Sequence, residues 1–239
     1  MAIVIRNRAA QPIERINVAG VIDQSEADML LAEGVRNLGF PFRLDTHTED
    51  LSERDANRII VGLPKQITAF AITYLNTAPA ISDLCTSLAV STVQLHGPVD
   101  EEELEQLRSQ RPDLTVIKSL IVATDLDGWH PDDLLREAET IGPLVDAFIT
   151  DTFDPVTGAS GATGKTHDWA ISRDLVAALP EPVILAGGLT PTNVAEAIAT
   201  VRPAAVDVHT GIEDSAGRKD PSKTAAFLAA ATAAFANLD

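Results

Sequence analysis

Residues 182–213 read PVILAGGLTPTNVAEAIATVRPAAVDVHTGIE, and their reading decides the fold. The stretch opens on an unbroken apolar run, Pro182–Ala186, and meets paired glycines at Gly187-Gly188. It then passes through Thr190-Pro-Thr192-Asn193 into a helical pattern, and a second β-branched run, Ala205–His209, ends in Thr210-Gly211. A strand that is apolar throughout, rather than at alternate positions, suits a parallel sheet buried on both faces. Strand, glycine loop, helix and next strand make one βα repeat.

The repeat recurs from end to end. Candidate strands are Arg15–Ala19, Val35–Phe40, Ile67–Tyr74, Thr92–Leu95, Thr115–Ile121, Val145–Asp151, Pro182–Ala186 and Ala205–His209. Helical patterns with apolar residues three and four apart fall at Glu26–Glu33, Glu53–Val61, Ala80–Leu88, Glu101–Gln110, Pro131–Thr140, Trp169–Leu179, Thr192–Thr200 and Pro221–Ala236. Asp23-Gln-Ser-Glu26 carries a helix-capping signal. Eight alternations fit a (βα)₈ TIM barrel of the α/β class better than an open doubly wound sheet. No Gly-x-Gly-x-x-Gly follows the first strand, so a dinucleotide fold lacks its main support. The expectation is a single barrel domain over 15–239, preceded by an N-terminal extension over 1–14.

Composition narrows the function. Lys and Arg number 18 against 35 Asp and Glu, a net charge of −17, which argues against nucleic-acid binding because phosphate contacts need clustered cations. One cysteine, Cys85, cannot make an internal disulfide or a Cys-rich metal site, and it reads as packing beside Leu84 and Leu88. No histidine pair has ligand spacing, so neither metal nor cofactor is expected. No stretch approaches the roughly 20 apolar residues of a membrane span, and basic residues follow the apolar start, the reverse of a secretory signal. A cytoplasmic protein with no membrane partner is expected; a homodimer is compatible with this reading.

Barrel chemistry sits where strands end. The glycines after the seventh and eighth strands (Gly187, Gly188 and Gly211, with Thr210) suit a phosphate grip, since exposed amides favour an anion. The sixth strand ends in Asp151, a candidate general acid, before a loop in which Gly158, Gly161, Gly164 and Lys165 suggest closure over an anionic substrate. That loop is not a P-loop, because residue 159 is Ala where the first glycine belongs. His96 and His209 end strands, and His47 lies in the loop after the second; each could titrate or bind substrate.

These strand ends resemble the phosphoribosylanthranilate isomerase family, (βα)₈ enzymes of tryptophan biosynthesis, from about Arg15 to the C-terminus. The likeness rests on Val93-Gln-Leu-His-Gly97, Gly164-Lys-Thr-His-Asp-Trp169, Pro182–Leu189 with Asn193-Val194, Ala205-Val-Asp-Val, Gly211-Ile-Glu and Gly217-Arg-Lys-Asp-Pro221. It implies an Amadori rearrangement of a phosphoribosyl-arylamine, with Asp151 as acid and His96, Lys165, Asp207 and His209 as substrate contacts. The family's base is a cysteine in Lys-Ile-Cys-Gly; this chain reads Asn17-Val18-Ala19-Gly20, which puts Ala19 at the cysteine and Asn17 at the lysine. The family's arginine for the aryl carboxylate falls within Arg43–Glu49, and an ungapped count from Ser52 puts Glu49 there. The first expectation is therefore a divergent isomerase of a phosphorylated sugar, with Asp151 and a relocated base: His47 ranked first, Asp23 and His209 behind it. The alternatives are a genuine phosphoribosylanthranilate isomerase with a substitute base, and a non-catalytic phosphosugar binder.

Overall fold

The computed structural model describes residues 15–44, 49–122, 130–154, 159–160 and 168–238. Its elements run β1 (Ile16–Ala19), α1 (Gln24–Ala32), β2 (Asn37–Pro41), α2 (Glu53–Gly62), β3 (Thr68–Thr73), α3 (Ala78–Leu88), β4 (Thr92–Leu95) and α4 (Glu101–Gln110). They continue with β5 (Thr115–Val122), α5 (Pro131–Ile141), β6 (Ala147–Asp154), β7 (Ala159–Ser160), α6 (Trp169–Ala178), β8 (Val183–Leu185), α7 (Val194–Val201), β9 (Ala205–Val208) and α8 (Pro221–Ala236). The hydrogen-bonded order is β5-β4-β3-β2-β1-β9-β8-β6, and β5 also pairs with β6, which closes the ring. All eight barrel pairings are parallel, so this is a (βα)₈ barrel.

Strand alternation divides the core into two layers. Val18, Leu38, Phe40, Val93, Leu95, Val116, Phe148, Leu185 and Val206 face outward and join Leu30, Ile59, Leu84 and Leu104 of the helices in one apolar cluster. The intervening residues fill the barrel, with Ile117, Ala147, Ile149, Ile184, Ala186 and Ala205 on one side and Ala19, Phe70 and Ile72 on the other. Cys85 is fully buried in the helix-facing layer, and that burial pushes its thiol up to about 12, so it is inert packing. At the opposite end from the strand termini Arg108 locks α4 to the sheet. Its guanidinium donates to Leu144 O at 2.6 Å, Leu114 O at 2.8 Å and Asp146 Oδ2 at 2.6 Å.

Two departures from the expected elements bear on the site. The sixth strand runs past Asp151 to Asp154, because Phe153 and Asp154 pair antiparallel with β7. Asp23 caps α1, accepting from Glu26 N at 2.8 Å, but the Glu26 carboxylate reaches Ile22 N and Lys219 N rather than closing a box on Asp23. The expected extension over 1–14 lies outside the described residues.

Candidate active site

The parity that fills the barrel also aims its polar residues. On β9, Ala205, Asp207 and His209 share the inward set, and on β6 Ala147, Ile149 and Asp151 do. Asp151, Gly187, Gly188, Asp207, His209, Thr210 and Gly211, all expected from the sequence, line one pocket with Ala186, Leu189 and Val208. A larger groove of about 840 Å³, lined by Arg15, Glu33, Arg36 and α8, lies away from the strand C-termini.

The loops after β8 and β9 are shaped by backbone. Gly187 and Gly188 have φ of 93° and 61°, a conformation other residues adopt only under strain. Asn193 pins their loop: its Oδ1 accepts from Thr190 N at 2.7 Å and its Nδ2 donates to Gly188 O at 3.0 Å. A Cβ on Gly211 would sit 1.8 Å from Leu189 O, so the loops after β8 and β9 touch only because residue 211 has none. Among the described residues the amides of Gly187, Gly188 and Leu189 donate to no backbone carbonyl.

Asp151 is 7% exposed, and its Oδ1 accepts from Thr152 N at 2.7 Å. Its Oδ2 lies 3.6 Å from His96 Nε2. The His96 ring is set by groups the sequence reading missed. Gln94 Nε2 lies 3.1 Å and Ser119 Oγ 2.8 Å from His96 Nδ1, and Tyr74 leans on the ring at a centroid distance of 5.4 Å. The only sequence signal for Gln94 and Ser119 was a polar residue at inward parity.

Asp207 is buried, and its Oδ1 has no hydrogen-bond partner among the described residues. Burial first, and then the charge of Asp151, push its carboxyl up to about 8 against a smaller pull down from Lys219. It is a neutral acid at pH 7. The adjacent Asn17 of β1, in register with it, likewise leaves its Nδ2 without a partner among the described residues.

Two expected contacts are elsewhere. The Arg43 guanidinium is held outside the barrel by Glu53 at 2.7 Å and Asp83 at 2.9 Å, and Glu49 folds back to accept from Arg43 N. Asp23, a candidate base, is occupied by its cap and by Arg218 at 2.7 Å. Burial works to raise its carboxyl, but the Glu26 amide and Arg218 outweigh that and hold it below its ordinary value. His47 and Lys165 lie outside the described residues.

The profile of the family described as "N-(5'phosphoribosyl)anthranilate (PRA) isomerase" matches residues 16–230. The chain belongs to the phosphoribosylanthranilate isomerase family. It is 37% identical over 227 residues to the N-(5'-phosphoribosyl)anthranilate isomerase of Haloferax volcanii, covering 94% of this chain and 96% of that one. A second isomerase of this name, from Methanosarcina mazei, is 35% identical, with 90% and 92% covered. The crystal structure of phosphoribosyl anthranilate isomerase from Thermotoga maritima superposes with a TM-score of 0.76 at 28% identity, covering 92% of this chain and 100% of that one. Ala19, the last residue of β1, is 5% exposed. No helix among the described residues is long and apolar enough to cross a membrane.

Proposed function

We propose that this chain is a phosphoribosylanthranilate isomerase, opening the ribose ring of N-(5'-phosphoribosyl)anthranilate and converting it to the 1-deoxyribulose phosphate. Likeness to named isomerases over nearly the whole chain supports this reading above the first expectation of a different phosphosugar. The observation that carries it is the single pocket joining Asp151 to the glycine loops after β8 and β9. One related structure holds the reduced product analogue, 1-(o-carboxyphenylamino)-1-deoxyribulose 5-phosphate, at 25% identity and a TM-score of 0.74.

The phosphate takes the amides of Gly187, Gly188 and Gly211 and the Thr210 hydroxyl. Asp151, oriented by His96 and Thr152 N and protonated once bound substrate excludes water from the pocket, gives that proton to the ring oxygen as the C1–O bond breaks and the aryl nitrogen's lone pair forms C1=N. A base then removes the C2 proton. The C2–H electrons become the C1=C2 bond, and the iminium electrons return to nitrogen. The enolamine gives the ketone by gaining a proton at C1 and losing one from the C2 hydroxyl. Asp207, neutral at pH 7, donates to a sugar hydroxyl in the space its unpartnered Oδ1 borders. Expression in a tryptophan auxotroph lacking the isomerase tests the proposal: growth without tryptophan is expected. Repeated failure by well-expressed, folded protein would sink it.

A further inference from the structure

The rearrangement needs a base, and the end of β1 offers only a methyl group. Pairing of β1 with β9 indicates what stands in its place. The register runs Ile16↔Val206, Asn17↔Asp207 and Val18↔Val208, so the two strands end side by side, β1 at Ala19 and β9 one residue before His209. The imidazole leans across the gap between them: a Cβ on Gly20 would lie 2.1 Å from His209 Nε2, 2.5 Å from Cδ2 and 2.8 Å from Cε1. Gly20 holds a φ of 79° and has no side chain, so the ring fills the space that a side chain on the residue after Ala19 would take.

Charged groups surround the ring in an order that suits proton transfer. Glu213 Oε1 lies 3.4 Å from His209 Nε2 and also takes Lys219 Nζ at 2.8 Å, while that ammonium donates to Gly20 O at 3.2 Å. Asp151 and Asp207 line the same pocket, and the Asp23–Arg218 pair closes the loop after β1. A carboxylate facing the ring orients it and stabilises the charge it takes up, the role a carboxylate plays behind a catalytic imidazole. His96 is already committed to Asp151, through Gln94 and Ser119.

We infer that His209 is the general base of this enzyme, replacing from β9 the group missing at Ala19; the inference rests on the isomerase reading above. The imidazole takes the C2 proton as the C2–H bond breaks, and Glu213 stabilises the imidazolium. The test is steady-state turnover of N-(5'-phosphoribosyl)anthranilate by wild type, His209→Asn and His209→Ala across pH 5–9, with melting midpoints as a folding control. We expect kcat to fall about 10²–10⁴-fold with KM little changed, and the acid limb of the wild-type pH profile to vanish. Added imidazole should restore part of the His209→Ala rate, which a purely structural role would not do. Wild-type turnover with His209→Asn inside threefold of it and the acid limb intact overturns the assignment alone. A variant that folds and loses activity, but keeps the acid limb and gains nothing from imidazole, also overturns it. No wild-type turnover overturns the isomerase reading, and this assignment with it.

Discussion

The two sides of the barrel mouth differ in what holds them. The ends of β8 and β9 are shaped by backbone: glycines at positive φ, a loop pinned by Asn193, and a Gly211–Leu189 contact too close for any side chain. The ends of β1 and β2 act through side chains, and there Ala19, Asn17 and Glu49 stand where the family's cysteine, lysine and arginine are expected. An amide cradle depends on chain path and survives wide sequence change. A proton acceptor depends on one atom, which a single substitution removes and a neighbouring strand can supply.

Breaking the backbone half should give the largest effect. Gly211→Ala forces a methyl into the Leu189 carbonyl, and overpacking of this kind costs about 1–3 kcal/mol while parting the two loops. Thermal unfolding should show the loss, and inorganic phosphate should no longer raise the melting midpoint. A variant that still gains stability from phosphate as wild type does would contradict a cradle made by that contact.

A smaller, pH-dependent effect comes from Asp207. Its carboxyl titrates at about 8 in the fold against 3.8 when unperturbed, so across that interval the folded state holds a proton the unfolded chain has released. That contribution to stability is complete below about pH 3.8 and is lost as pH rises through about 8. Asp207→Asn should match wild type at the acid end, melt above it at pH 8–9, and flatten the profile between. Parallel melting curves for the two proteins would refute the neutral acid.

Arg43 should matter least. Its guanidinium, tied to Glu53 and Asp83, is raised above its usual value chiefly by Glu53, in spite of burial. Arg43→Ala should cost at most about 1 kcal/mol, the range of partly exposed pairs, and leave KM within about threefold. A large rise in KM would return the aryl-carboxylate role to Arg43.

Much of this was legible in the sequence wherever the signal was local. Continuous apolar strands such as Pro182–Ala186 specified a parallel barrel, and parity then set Asp151, Asp207 and His209 toward one mouth. What stayed hidden depends on partners far along the chain. The pairing of β1 with β9 brings His209 over Gly20 across nearly the whole sequence, and no periodicity announces it. Gln94 and Ser119 look like isolated polar residues until β4 and β5 set them beside His96. Asp23 was readable both as a cap and as a base, and the Glu26 amide with Arg218 decided for the cap.

The most direct measurement is turnover of N-(5'-phosphoribosyl)anthranilate by purified wild type and Asp151→Asn, run beside calorimetry with inorganic phosphate. The account predicts wild-type turnover, a fall of about 10²–10⁴-fold in the variant, and equal phosphate binding by both. Phosphate binding by both proteins with no turnover by wild type would contradict it, and would make the chain a binder rather than an enzyme.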